Sequence, residues 1–241
     1  MVDGTNYELI AAVREELARA ADSVKAPAMQ AYMKSAMPYI GVTAPQLREA
    51  CRAVFAAHPL ASFDGWHETT LALWREAHYR EERYAAIGLT GDRRYRGYQR
   101  LDALPIYEEM IVSGAWWDYV DDLATHRIGP LLALYPDPMR ATMLAWSRDA
   151  NLWKRRTAIL CQLSFKAATD EELLFACIAP NMGEKDFFIR KAIGWALREY
   201  AKTRPDAVCR YVRKHETELS PLSRREALKY MEIQEREAAN R

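Results

Sequence analysis

The chain has 241 residues, half of them apolar and 28% charged, with a formal net charge of +1. That length is enough to bury a core as one large domain or a short repeat array, and the composition is ordinary for a soluble globular protein. No apolar run approaches the roughly eighteen residues of a membrane span, and the N-terminus carries no signal-peptide pattern, so a cytoplasmic protein is expected.

Nearly every segment reads as helix. Tyr7–Ala20 repeats apolar residues at three- and four-residue steps, and Ala28–Met37 follows. Thr43-Ala44-Pro45-Gln46 is a helix start, with a Thr N-cap, a Gln at the third helical position and a proline where its missing N–H costs nothing. That helix is expected to reach Ala57, with further helices at Asp64–Ala77 and Glu81–Thr90 before a polar turn at Gly91-Asp92-Arg93-Arg94. Pro105–Val112 and Ala115–Ala124 bracket a turn at Ser113-Gly114. Pro136-Asp137-Pro138 starts a helix through Trp146, and Asn151–Phe165 comes next. Thr169-Asp170-Glu171-Glu172 reads as a capping box for Leu173–Ala179. Asp186–Lys202, Pro205–Lys214 and Pro221–Met231 complete the set, the last two each beginning at a proline. No alternating β-branched run, Gly-rich phosphate loop or linker interrupts them. The helices fall into antiparallel pairs of the size of a HEAT-type unit, which predicts an all-α solenoid with a concave face, a compact bundle being the alternative.

The residues that could carry chemistry are unevenly spread. Residues 101–147 hold 2 basic and 7 acidic side chains, whereas residues 148–230 hold 17 and 11. A basic C-terminal third on a neutral chain permits one positive face. In Trp116-Trp117-Asp118-Tyr119-Val120-Asp121, helical spacing puts Trp117 and Asp121 on one face, with Trp116 and Val120 in a neighbouring row suited to packing. Two core tryptophans beside a solvent-facing acid would satisfy that spacing. So would an aromatic plate and a carboxylate set against a growing positive charge. Lys154-Arg155-Arg156 opens an apolar helix, Lys191, Trp195 and Arg198 recur at helical spacing, and Arg224-Arg225 begins the last helix. Such runs are either solvated faces or, with helix N-termini aligned, a cationic strip for phosphates. Gly194 beside Trp195 suggests close approach of another element or a ligand, and Tyr32 near Lys34 either packs or stacks at the same concavity. Cys51, Cys161, Cys177 and Cys209 form no CxxC pair and read as buried thiols. The histidines are scattered without HExxH, so no metal site is expected.

Tyr32-Met33-Lys34, Gly41 to Pro45, Trp116 to Asp121, Asn151 to Leu160, Asp170 to Phe175 and Phe187 to Lys202 together resemble the AlkD-type DNA glycosylases, the HEAT-like-repeat alkylpurine repair enzymes. The resemblance spans about residues 25–231, in order, and is weaker over 60–105 and in the N-terminal helix. It implies one helical-repeat domain over residues 1–241 that cups duplex DNA and acts as a monomer. The implied activity is hydrolysis of the N-glycosidic bond of N3- or N7-alkylated purines, with no metal or cofactor. The family's catalytic aspartate falls on Asp121, its cleft tryptophans on Trp117 and Trp195, its DNA-contacting arginine on Arg156 and its cleft tyrosine on Tyr32. Lys34, Lys154, Arg155, Lys191, Arg198, Arg224 and Arg225 are further candidates for DNA contact.

One carboxylate suits that reaction. Ordinary glycoside hydrolysis uses two, one of them to protonate the leaving group. An N3- or N7-alkylated purine is already cationic and departs neutral. Two other classes fit the same residues: a HEAT-like module that recognises DNA structure without cleaving it, and a scaffold for protein partners.

Overall fold

The stretches with helical periodicity fold as helices. A computed structural model describes residues 4–239, and among them are fourteen α-helices and no strand. None of these helices is long and apolar enough to cross a membrane. The chain packs as two compact units, residues 1–106 and 107–241.

In the first unit, α1 (Tyr7–Arg19) begins where the Asn6 side chain accepts from the Leu9 N–H at 2.9 Å. It buries Leu9, Ile10, Val13 and Leu17, a single apolar stripe. Helix α2 (Ala26–Met33) stops short of the expected Met37 because Lys34 turns left-handed, with φ of 49°. Helix α3 (Ala44–Ala57) starts at Thr43, whose N–H donates to the Gln46 side chain at 3.1 Å. Helices α4 (Phe63–Arg75) and α5 (Arg80–Thr90) follow, with Trp66 and Trp74 wholly inside. The polar turn expected from Gly91 is followed by short 3₁₀ turns at Arg93–Tyr98 and Leu101–Ala103. They are anchored by buried Tyr95, whose hydroxyl accepts from the Leu60 N–H at 3.0 Å.

A buried carboxylate organises this unit. Glu81 of α5 is fully enclosed and accepts from the N–H groups of Ile40, Gly41 and Val42 at 3.2, 3.0 and 3.2 Å. Burial pushes its carboxyl up, and those donors work against the rise. Gly41 has φ of +88°, and a Cβ there would lie 2.0 Å from the Asp22 carbonyl oxygen. We therefore expect Gly41→Ala to destabilise the protein by roughly 2–4 kcal/mol, from left-handed strain plus overpacking. Urea unfolding checks this, and an unchanged midpoint would refute it.

The second unit holds α6 (Leu104–Gly114) from Tyr107 onward, α7 (Trp117–Leu123), α8 (Gly129–Leu134) and α9 (Pro136–Trp146). It continues with α10 (Leu152–Leu160), α11 (Glu171–Ile178), α12 (Phe187–Ala201), α13 (Pro205–Lys214) and α14 (Pro221–Ala239). The reversal expected at Ser113-Gly114 falls one residue later, at Ala115 with φ of 43°. Helix α8 had no counterpart among the expected helices. Instead α7 runs on through a π-helical turn at Ala124–Ile128. The wider turn accommodates the proline that follows.

The cap of α11 is Asp170, whose carboxylate accepts from the Leu173 N–H at 2.9 Å, and not Thr169. The Thr169 hydroxyl is taken by the Lys166 carbonyl of the preceding 3₁₀ turn. Helix α10 ends at Leu160 rather than Phe165, and α14 runs past Met231.

Helix α12 is the axis of the unit, packing on α10, α13 and α14. Ile189, Ala192, Ile193, Ala196, Leu197, Tyr200 and Ala201 are its buried stripe. They meet Ile159 and Leu160 of α10, Leu174 and Ile178 of α11, and Val208 of α13. Each fully buried Ile or Leu there contributes about 1.5–3 kcal/mol. That stripe leaves Lys191, Trp195 and Arg198 on the other face. The cysteines are free, Cys51, Cys161 and Cys177 buried and Cys209 half-buried. Burial pushes the Cys51 and Cys177 thiols up to about 12.

Candidate active site

Three helix starts build the site, all within the second unit. Trp116 is extended, so α7 opens at Trp117 and carries Asp121 one turn later. Helix α10 opens at Asn151, whose side chain accepts from the N–H groups of Trp153 and Lys154 at 2.9 and 3.2 Å. Asp186 does the same for Phe188 and Ile189 of α12, at 2.7 and 3.3 Å. These caps satisfy orphan N–H groups and set the rotation of each helix. As a result Trp117, Asp121, Arg156 and Trp195 line one open cleft of about 320 Å³. The acid and the two indoles therefore converge, as their spacing anticipated for Trp117 and Asp121 and the family resemblance for Trp195.

The neighbouring row packs. Val120 is fully buried, and Trp116 lies against Trp153 and Phe188 with ring centroids 6.2 and 5.4 Å away. Trp153 and Phe188 are themselves 5.2 Å apart, so the ring at the cap of α7 and those of α10 and α12 form one aromatic cluster.

Asp121 and Arg156 form a bidentate pair. Arg156 Nε and Nη2 donate to the two Asp121 carboxylate oxygens, each at 2.7 Å, and Nη1 donates to the Phe188 carbonyl. The carboxylate side chain is 14% exposed and the guanidinium side chain 5%. Burial pushes the Asp121 carboxyl above the ordinary aspartate range, against the opposing pull of Arg156. Arg156, expected to contact a phosphate, is paired with the carboxylate and has three of its five N–H donors in use.

The other expected cations are largely compensated. Lys154 sits between Glu108 and Asp149, 2.8 Å from each, and Arg155 pairs with Glu184 at 2.9 Å. Lys191 and Arg198 both border the cleft and both meet Glu226. Arg224 pairs with Glu216 at 3.1 Å, and Arg225 is exposed. Tyr32 and Lys34 belong to the first unit, both exposed on α2 and its C-cap, with Tyr32 78% accessible. The packing role open to Tyr32 is not taken.

Three residues of the cleft carried no assigned role in the sequence. Phe187 is half-exposed, Phe188 has the Arg156 guanidinium over its ring at 6.0 Å, and Glu226 arrives from α14. A phenylalanine as the first residue after an Asp cap was a usable signal for Phe187. Glu226 offered none.

Gly194 explains how α14 comes so close. A Cβ there would lie 2.5 Å from Glu226 Cβ and 2.9 Å from the Ser223 carbonyl oxygen, so the glycine serves a neighbouring helix. Alanine gains about 1 kcal/mol of helix propensity, but overpacking costs roughly 1–3 kcal/mol. We expect Gly194→Ala to lower stability in a denaturant titration, and a stabilised variant would show that the two helices are not in tight contact.

The described residues are all-helical, and they gather a largely buried carboxylate, two indoles and a guanidinium at one open cleft. The chain belongs to the DNA alkylation repair enzyme family, whose model matches residues 13–231. It is also similar to a solved structure described as a predicted DNA alkylation repair enzyme from Enterococcus faecalis. The two share 29% identity and a TM-score of 0.79, over 87% of this chain and 96% of that one. No curated protein matches the chain. The match begins within α1, so it takes in the second half of that helix and the 60–105 region, where the motif resemblance was weak. A role in the repair of alkylated DNA follows from family membership.

Proposed function

We propose that this protein is a DNA glycosylase that hydrolyses the N-glycosidic bond of cationic N3- or N7-alkylated purines in duplex DNA. Asp121 stabilises the oxocarbenium-like sugar and orients water, and Trp117 and Trp195 face the cationic nucleotide. Each indole contact is worth roughly 0.5–2 kcal/mol, which suits a bond that the lesion has already weakened. Arg156 acts on the carboxylate, fixing both oxygens so that they need not reorganise as charge develops.

The observation that carries this reading is the pairing of the second carboxylate in the cleft: Glu226 lies 3.1 Å from Lys191 Nζ and accepts from Arg198 Nη1 at 2.7 Å. Burial pushes Glu226 up, but Lys191 and Arg198 outweigh it and hold the group below the ordinary glutamate range. It is thus no proton donor, and a two-carboxylate mechanism with a general acid finds none here. A leaving group that is already cationic needs none.

Tyr32 and Lys34, exposed on α2 and at its C-cap, are proposed to contact the duplex backbone. The test is release of free base from a duplex carrying one N7-methylguanine, using the purified 241-residue protein without added metal. Binding without release would sink the proposal in favour of a non-catalytic DNA-binding module.

A further inference from the structure

Glu226, on the second turn of α14, points back between two cations of α12. Its Oε1 lies 3.1 Å from Lys191 Nζ, and its Oε2 accepts from Arg198 Nη1 at 2.7 Å. The glutamate side chain is 13% exposed, while Lys191 and Arg198 are 38% and 25% exposed. Its position is held by backbone. The Gly194 contact brings α14 against α12, and the Ser223 hydroxyl donates to the Arg190 carbonyl at 2.9 Å. Two anionic oxygens, held between an ammonium and a guanidinium beside Trp195, have the charge and the place of a nucleic-acid phosphate.

We propose that Glu226 is a specificity-determining residue, an internal stand-in for a backbone phosphate that withholds Lys191 and Arg198 from unmodified DNA. This rests on the glycosylase reading, since it needs a cationic nucleotide in the cleft. Any duplex entering the cleft must displace Glu226 from its two partners and bring phosphates toward an anion. A neutral base returns nothing for that. A purinium cation does, because Glu226 and Asp121 both attract it, and the penalty falls selectively on undamaged DNA.

Glu226→Gln keeps the shape and removes the charge. Binding of an undamaged duplex, and of the same duplex with one N7-methylguanine, would be followed against salt for the native protein, Glu226→Gln and Glu226→Gln/Lys191→Met, alongside base release and thermal melting. Glu226→Gln should bind undamaged DNA about tenfold more tightly at low salt, with a salt slope steeper by about one. The gain for the lesion duplex should be smaller, so lesion preference falls, and adding Lys191→Met should reverse much of the gain. Weaker binding of both duplexes with a lowered melting temperature would make Glu226 structural and overturn the proposal. An unchanged slope and preference in a variant that still releases base would overturn it alone, whereas absence of release by the native protein defeats the glycosylase reading itself.

Discussion

Asp121→Asn should lower the rate of N7-methylguanine release by at least about 10²–10³-fold, the usual cost of removing one preorganised electrostatic group from a reacting centre. Affinity for the lesion duplex should stay within a few-fold, because the indoles and the outer cations are untouched. The geometry adds a second consequence. Asparagine leaves the Arg156 guanidinium, 5% exposed, facing a neutral amide. Breaking a buried pair from one side costs roughly 3–5 kcal/mol, so a lower melting temperature is expected too. Single-turnover release, measured well below that melting temperature, separates the two effects. Equal losses of release and binding would assign Asp121 a structural role.

The second large effect is expected at Arg156→Met, and it should depend on pH. If Asp121 acts as proposed, its carboxylate must be ionised, so the rate should fall as pH drops through the pKa of that group. Burial already raises it, so the acid limb of the native profile is expected above the ordinary aspartate range. Methionine removes the two 2.7 Å bonds that oppose the rise. The limb should then move to higher pH, and at any pH below it the rate falls about tenfold for every pH unit the limb has moved. The variant should therefore release base poorly in mildly acid buffer and recover as pH is raised. A phosphate-binding Arg156 predicts another pattern: a weaker, flatter salt dependence of DNA binding with an unmoved pH profile. The pH series and the salt titration together decide between them.

How much of this was legible in the sequence follows from the range of the interactions involved. Trp117 and Asp121 sit one helical turn apart, so their common face could be read from spacing alone. The same holds for the N-caps Asn151 and Asp186, which act on their own helices. Helix α8 was not among the expected helices, because α7 is carried into it through a π-helical turn just ahead of Pro130. Lys154-Arg155-Arg156 reads as one cationic run, yet its members have different fates. Lys154 is held between two acids, Arg155 by a third, and Arg156 is turned inward beneath Asp121.

By itself the sequence determined that this is an all-α protein, that its helices begin at particular caps and prolines, and that an acid and an indole share a face. Those are consequences of 3.6-residue periodicity and of backbone groups that need partners within a turn or two. Only the tertiary structure decided which charges are spent on one another: Asp121 on Arg156 across 35 residues, and Lys191 and Arg198 on Glu226. The reason is physical. An ion pair depends on how two helices are rotated and how closely they cross, and at α12 and α14 that closeness is set by the missing side chain of Gly194.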